Sequence, residues 1–195
     1  TGIENGVLHI QPLMTPLMVS GVSPRGLARL ADILRPFGLQ PMAGPGGGAA
    51  SGANPDLVPG AAVGVSLASG DIDITGIGTL TYRRGDRVVG FGHPMLSIGA
   101  VDAPMTTAYV SDVLSSYLVS TKMASPIKTV GRVFQDRPWC VAGTLNEKAS
   151  LIPVSVNVDD QSSLRSRRYN IQVINHPLLA SRLITMVVGE AIAQM

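Results

Sequence analysis

The sequence predicts a mainly β body of antiparallel strands with two flanking helices. Between Pro59 and Ile174, short apolar runs alternate with small or polar residues, the period of strands that bury one face. The turns between these runs are too short for parallel crossovers, which need a dozen or more residues. Helical spacing of apolar groups is clear in two stretches, near 24–35 and 178–193.

The elements follow in order. Residues 7–19 mix apolar groups with Pro12 and Pro16 and read as an extended arm that lies along a surface without joining a central sheet. Ser23-Pro24 opens a helix, with serine as N-cap, proline in the first turn, and Leu27, Leu30 and Leu34 along one face. Pro36 and Gly38 close it. The stretch 41–58, with Gly44-Pro45-Gly46-Gly47-Gly48, reads as a flexible linker between an N-terminal arm and helix (1–40) and a β domain (59–195). It lacks the Gly-Lys-Ser/Thr ending of a phosphate-binding loop.

Val63, Val65 and Leu67 mark the first strand of the β domain, and Ile72, Ile74 and Gly76 continue after the turn at Ser69-Gly70-Asp71. Two strands follow, Gly76–Tyr82 and Val88–Phe91, joined by Arg83-Arg84-Gly85-Asp86. Gly99–Ser120 fits helix and strand about equally. Further strands are expected at 129–135, 139–145, 152–158 and 168–174. A helix from about Leu178 to Ala193 is apolar round much of its circumference and is expected to be buried on two sides.

Composition narrows the function classes. The chain of 195 residues has room for one sizeable core. With 45% hydrophobic and only 14% charged residues and a mean hydropathy of +0.29, it is expected to bury surface against other polypeptide. No run reaches the roughly 20 apolar residues of a spanning helix, which leaves membrane-peripheral contact open. The net charge of +2 and 4% aromatics set nucleic acid aside. Arg165, Arg167 and Arg168 read as a solvated turn. Cys140 is the single cysteine and reads as a small core residue next to Trp139, with a Cys140–His93 nucleophilic pair as the alternative. Neither a zinc site nor any other cofactor is expected, because His and Cys show no ligand spacing. The start at Thr1, without initiator methionine or signal pattern, reads as a fragment or processed product, and Thr1 itself is an alternative N-terminal nucleophile.

The residue that points to chemistry is His93, set between Gly92 and Pro94 at the exit of a strand. Imidazole titrates near neutrality and suits general acid–base work. Asp71 and Asp73, two apart, form an alternative carboxylate pair.

Val63-Gly64-Val65 and Gly76–Pro94, with Gly78-Thr79-Leu80-Thr81-Tyr82 followed by Gly92-His93, resemble the SpoIVB-type serine peptidase family. Val130-Gly131-Arg132-Val133 and Val141-Ala142-Gly143-Thr144-Leu145 resemble its paired glycine-punctuated strands. The resemblance spans Pro59 to Ile174, tips Gly99–Ser120 toward strand and turn, and implies a barrel-like (trypsin-like) body, serine protease (hydrolase) chemistry, and an extracytoplasmic, cell-envelope location. It implies His93 as general base. Asp102 is the first candidate to orient the ring, with Asp112 and Asp136 behind it. The family's Ser-Gly-Ser segment is absent; Ser20-Gly21, Ser51-Gly52 and Ser69-Gly70 lack its flanks, and Ser97 shows no nucleophile elbow. The expectation is therefore a chain inactive by itself, whose nucleophile lies elsewhere in its precursor or in a partner. The alternative is a non-catalytic assembly module of a larger extracytoplasmic complex. His93 is expected at a strand end beside a cleft or interface.

Overall fold

A computed structural model describes residues 2–4, 7–9, 14–45, 55–115 and 120–195. β1 (Gly2–Glu4) and β2 (Val7–His9) pair as a small antiparallel ribbon. β3 (Thr15–Ser20) follows, then α1 (Pro24–Leu34), a single 3-10 turn at Arg35–Phe37, and β4 (Leu39–Ala43). The β region comprises β5 (Ala62–Gly70), β6 (Asp73–Arg84), β7 (Arg87–Gly90), β8 (Gly99–Leu114), β9 (Thr121–Arg137), β10 (Cys140–Leu145), β11 (Leu151–Asp160) and β12 (Arg165–Ile174), before α2 (Ala180–Ala193).

Antiparallel pairing runs round a ring in the order β5-β8-β9-β10-β7-β6, and β6 returns to β5. The ring is barrel-like and its interior is filled. Val63, Val65, Leu80, Val88, Met105, Val133 and Val141 leave a void of only about 10 Å³, roughly one water. This barrel is a packed core with no room for a ligand. One edge of the ring continues as β12 and β11, the other as β3 and β4.

Three expectations change here. β3 is part of the main sheet: it pairs antiparallel with β6 and parallel with β4, and Leu17 is fully buried. Pro16 is tolerated because its neighbours Thr15, Leu17, Met18 and Val19 still pair and proline removes only one donor. Residues 41–43, read as linker, are the end of β4, while 46–54 lie outside the described residues. Trp139 is in the turn before β10 and 83% exposed, and Cys140 is half-buried, not a core residue. Gly99–Leu114 is strand, as the resemblance implied.

α1 forms where its cap and stripe predict. Ser23 Oγ accepts the Gly26 N–H at 3.0 Å, Leu30 and Leu34 are fully buried, and Gly38 ends the segment with a left-handed φ of +69°. α2 lies against α1 on one side and β11 and β12 on the other. Glu190 of α2, 2% exposed, accepts the Ser23 N–H at 2.5 Å and the Gln194 Nε2–H at 2.9 Å. A Cβ at Gly26 would overlap this carboxylate, so glycine is what lets the helices meet. Burial pushes the Glu190 carboxyl up, but the bonds from Gln194 and Ser23 and the Arg29 charge outweigh it and hold it below its ordinary 4.5. Its stabilising contribution is therefore present above pH 4.5 and lost as the pH falls through its lower folded value. Glu190→Gln is expected to cost about 1–2 kcal/mol at pH 7 and to flatten the acid limb of a stability–pH curve. A variant curve parallel to the parent's would contradict this.

The β8–β9 hairpin is longer than the ring requires. Four register breaks bend it, and its far half crosses the outside of the sheet. There Lys122 Nζ donates to Thr79 Oγ1, Ser125 Oγ donates to the Pro45 carbonyl at 2.8 Å, and Ala124 is fully buried.

Candidate functional site at the exit of β7

The loop carrying His93 is built from glycines on β6. Strand period places Gly76 and Gly78 on the same face as Leu80, the face that lines the barrel. Phe91 folds back onto Gly78, where a Cβ would overlap the ring, and Met95 Sδ comes within 3.1 Å of the space a Cβ would fill at Gly76. The Phe91 N–H donates to the Thr79 carbonyl at 2.8 Å as the last rung. Phe91 and Gly92 then both take left-handed backbone, φ +72° and +71°, which for phenylalanine is strained. The two residues reverse the chain and leave His93 exposed.

The imidazole meets the Phe91 ring edge-on at 5.8 Å. Its Nδ1 lies 2.8 Å from the Pro94 carbonyl. A carbonyl can only accept, so Nδ1 carries the proton and the neutral ring keeps its Nε2 lone pair, the tautomer a general base needs. No hydrogen bond joins His93 to a carboxylate, hydroxyl or thiol among the described residues.

Asp136 holds the far side of the loop. It is 3% exposed, and its carboxylate accepts the backbone N–H groups of Met95 at 2.9 Å, Leu96 at 2.5 Å and Ser97 at 3.0 Å. Three successive amides on one carboxylate fix the segment after His93, including Ser97 with its left-handed φ of +58°. The residue comes from β9, opposite Gly99 and Val141. Flanked by Gln135 and Arg137, it reads in the sequence as a solvated carboxylate, and the signal that it is buried exists only in the pairing.

Asp102, the first candidate to orient the ring, is committed elsewhere. Its Oδ2 accepts the Ser150 N–H at 2.9 Å and its Oδ1 lies 3.5 Å from Arg132 Nη1, while Arg132 Nε is 3.1 Å from Glu147 without hydrogen-bond alignment. Asp112 lies on the far half of the β8–β9 hairpin and accepts the Val113 N–H. Cys140 opens β10 opposite Arg137, and the next residue, Val141, pairs with Gly90 at the end of β7. Thr1 lies outside the described residues. Among the described residues no group of three or more His, Cys, Asp or Glu side chains converges on one point.

Asp71 and Asp73 are not a pair. Asp71 sits in the turn and accepts the Asn170 N–H at 2.6 Å, whereas Asp73 begins β6, where burial pushes its carboxyl up to about 6. The folded state thus holds this proton more tightly than the unfolded chain at 3.8, and stability from it is lost as pH rises through about 6. Asp73→Asn is expected to raise stability by about 1–2 kcal/mol above pH 7, discounted for partial solvation, and to do nothing at pH 3. Equal gains at both pH values would exclude this cause.

The cleft expected beside His93 is not found in the surface grooves of about 400–440 Å³. Two lie along α1 and α2, and a third is lined by Lys128, Asn146, Glu147 and Lys148; His93 lines none of them. Asp136 ties down residues 95–97, and the His93 ring stays exposed. Comparison with family models, curated proteins and solved structures found no match. No helix is long and apolar enough to cross a membrane among the described residues.

Proposed function

We propose that this chain is the histidine-bearing part of a SpoIVB-type serine peptidase domain, with His93 as general base and a nucleophilic serine supplied by polypeptide outside these residues. The observation that supports this reading is the anchored loop. Asp136 binds three amides after His93, and the Pro94 carbonyl holds Nδ1, so Nε2 is presented from a fixed backbone. In that role Nε2 takes the serine proton as the hydroxyl attacks a peptide carbonyl, then returns it to the leaving amine. Pro94 supplies the orienting acceptor that a carboxylate supplies in the familiar triad, though without the negative charge that stabilises an imidazolium.

The test is labelling of the gene's full-length product with a serine-directed fluorophosphonate. A labelled serine outside these 195 residues, with labelling lost in His93→Gln, is the expected result. Labelling that survives His93→Gln would overturn the assignment.

A second reading, a non-catalytic assembly module, is favoured by the lack, among the described residues, of any hydroxyl or thiol bonded to His93 and by Trp139 standing exposed in the turn before β10. Tryptophan in such a position is the residue type most often central to protein interfaces. Absence of labelling, together with a Trp139→Ala variant that no longer enters a complex formed by the parent, would select it.

A further inference from the structure

The hairpin of β11 and β12 packs against α2 as far as Tyr169, whose hydroxyl donates to Gln194 Oε1, and its end beyond that is largely exposed. β12 pairs with β5 only from Ile171 to Val173, while β11 and β12 stay paired out to Asp160 and Arg165. At the tip, Leu164 is 92% exposed, the most open of the large apolar side chains among the described residues. Its φ is +55°, a left-handed conformation that glycine or asparagine adopts at lower cost. The chain thus holds an apolar side chain in full solvent at a position where backbone preference asks for another residue.

Behind that tip stand three cations. Arg165 and Arg167 lie on one face of β12 and Arg168 on the other, all exposed. Arg167 is planted over the ring of buried Tyr169, its guanidinium carbon 4.5 Å from the centroid, so its charge is held in place. None of the three pairs with a carboxylate among the described residues. The acids on the hairpin are Asp159 and Asp160, and Asp71 lies further back against Asn170. Asp160 is turned into the loop, where it accepts from the Ser162 N–H, the Ser162 hydroxyl and the Ser163 hydroxyl, bonds that hold its carboxyl down at about 2. Asp159 remains exposed. Three arginines against two aspartates leave the ribbon end cationic, with one apolar side chain foremost.

We propose that the β11–β12 tip docks on an anionic lipid surface, Leu164 entering the headgroup–acyl boundary and Arg165, Arg167 and Arg168 engaging lipid phosphates. An apolar point backed by a net cationic strand end complements such a surface in both terms. Single-stranded nucleic acid is less well matched, because the only aromatic ring on this ribbon, Tyr169, is buried and offers no face to a base. The inference is independent of the peptidase reading.

Co-sedimentation of the 195-residue chain with phosphatidylcholine vesicles, with and without phosphatidylserine, tests it. Binding is expected only with phosphatidylserine. It should fall about fivefold per arginine, hence about a hundredfold in R165A/R167A/R168A, and about tenfold in Leu164→Ser. Leu164→Gly separates docking from folding: it relaxes the strained φ, so its Tm is expected to match or exceed the parent's while vesicle binding drops. No binding by the parent, equal binding to neutral vesicles, or undiminished binding by Leu164→Gly would each overturn the proposal. So would tighter binding to a single-stranded oligonucleotide that Leu164→Ser leaves unchanged.

Discussion

Asp136→Ala is expected to lower stability by about 3–5 kcal/mol, the largest effect of any single substitution near the loop. The alanine removes the acceptor of three backbone N–H groups, those of Met95, Leu96 and Ser97. A hydrogen bond to a charged group contributes about 1.5–3 kcal/mol, and leaving a buried donor unpaired costs about 1–3 kcal/mol. The three are not additive, because water reaches the Ser97 end, which is exposed. Asp136→Asn keeps the shape but has one acceptor oxygen, so roughly half the loss should return. Urea unfolding measures both variants, and amide exchange at residues 95–97 localises the change. A loss under about 1 kcal/mol in Asp136→Ala would mean that packing of Phe91 and Met95 holds the loop without the carboxylate.

Gly78→Ala is expected to cost about 2–3 kcal/mol and to disturb His93 without touching it. The added methyl would overlap the Phe91 ring, its nearest neighbours being three ring carbons. Phe91 cannot swing freely, since its backbone is already left-handed and its N–H is bonded to Thr79. Overpacking of this kind typically costs about 1–3 kcal/mol, and here the displaced ring carries the edge-on contact with His93. Thermal unfolding gives the stability change, and the imidazole proton resonances report the altered ring environment. Unchanged His93 resonances in a destabilised Gly78→Ala would show that Phe91 does not position the histidine.

Much of the β region was legible in the sequence because its cause is local. Period-two alternation at Val63, Val65 and Leu67, short turns and the Ser23-Pro24 cap act over a few residues, and β5, β6, β7, α1 and α2 lie close to where those signals place them. β3 and β4 were missed for a physical reason. A strand containing Pro16 beside a glycine-rich segment has weak local preference, and it becomes a strand by pairing with β6, more than fifty residues away.

The place of His93 just past a strand end was legible, since β7 ends at Gly90; its exposure was not, because the left-handed backbone of Phe91 and Gly92 decides it. Nor were the partners of that imidazole legible. Asp102 is nearer in sequence, yet Arg132 and Ser150 take its carboxylate, and Asp136, 41 residues beyond Met95, reaches the loop because β9 lies between β8 and β10. Residue type and local period determine which groups can do chemistry and which strands can form. Strand register decides which carboxylate meets which loop, because a shift of one residue would turn Asp136 to the opposite face of β9.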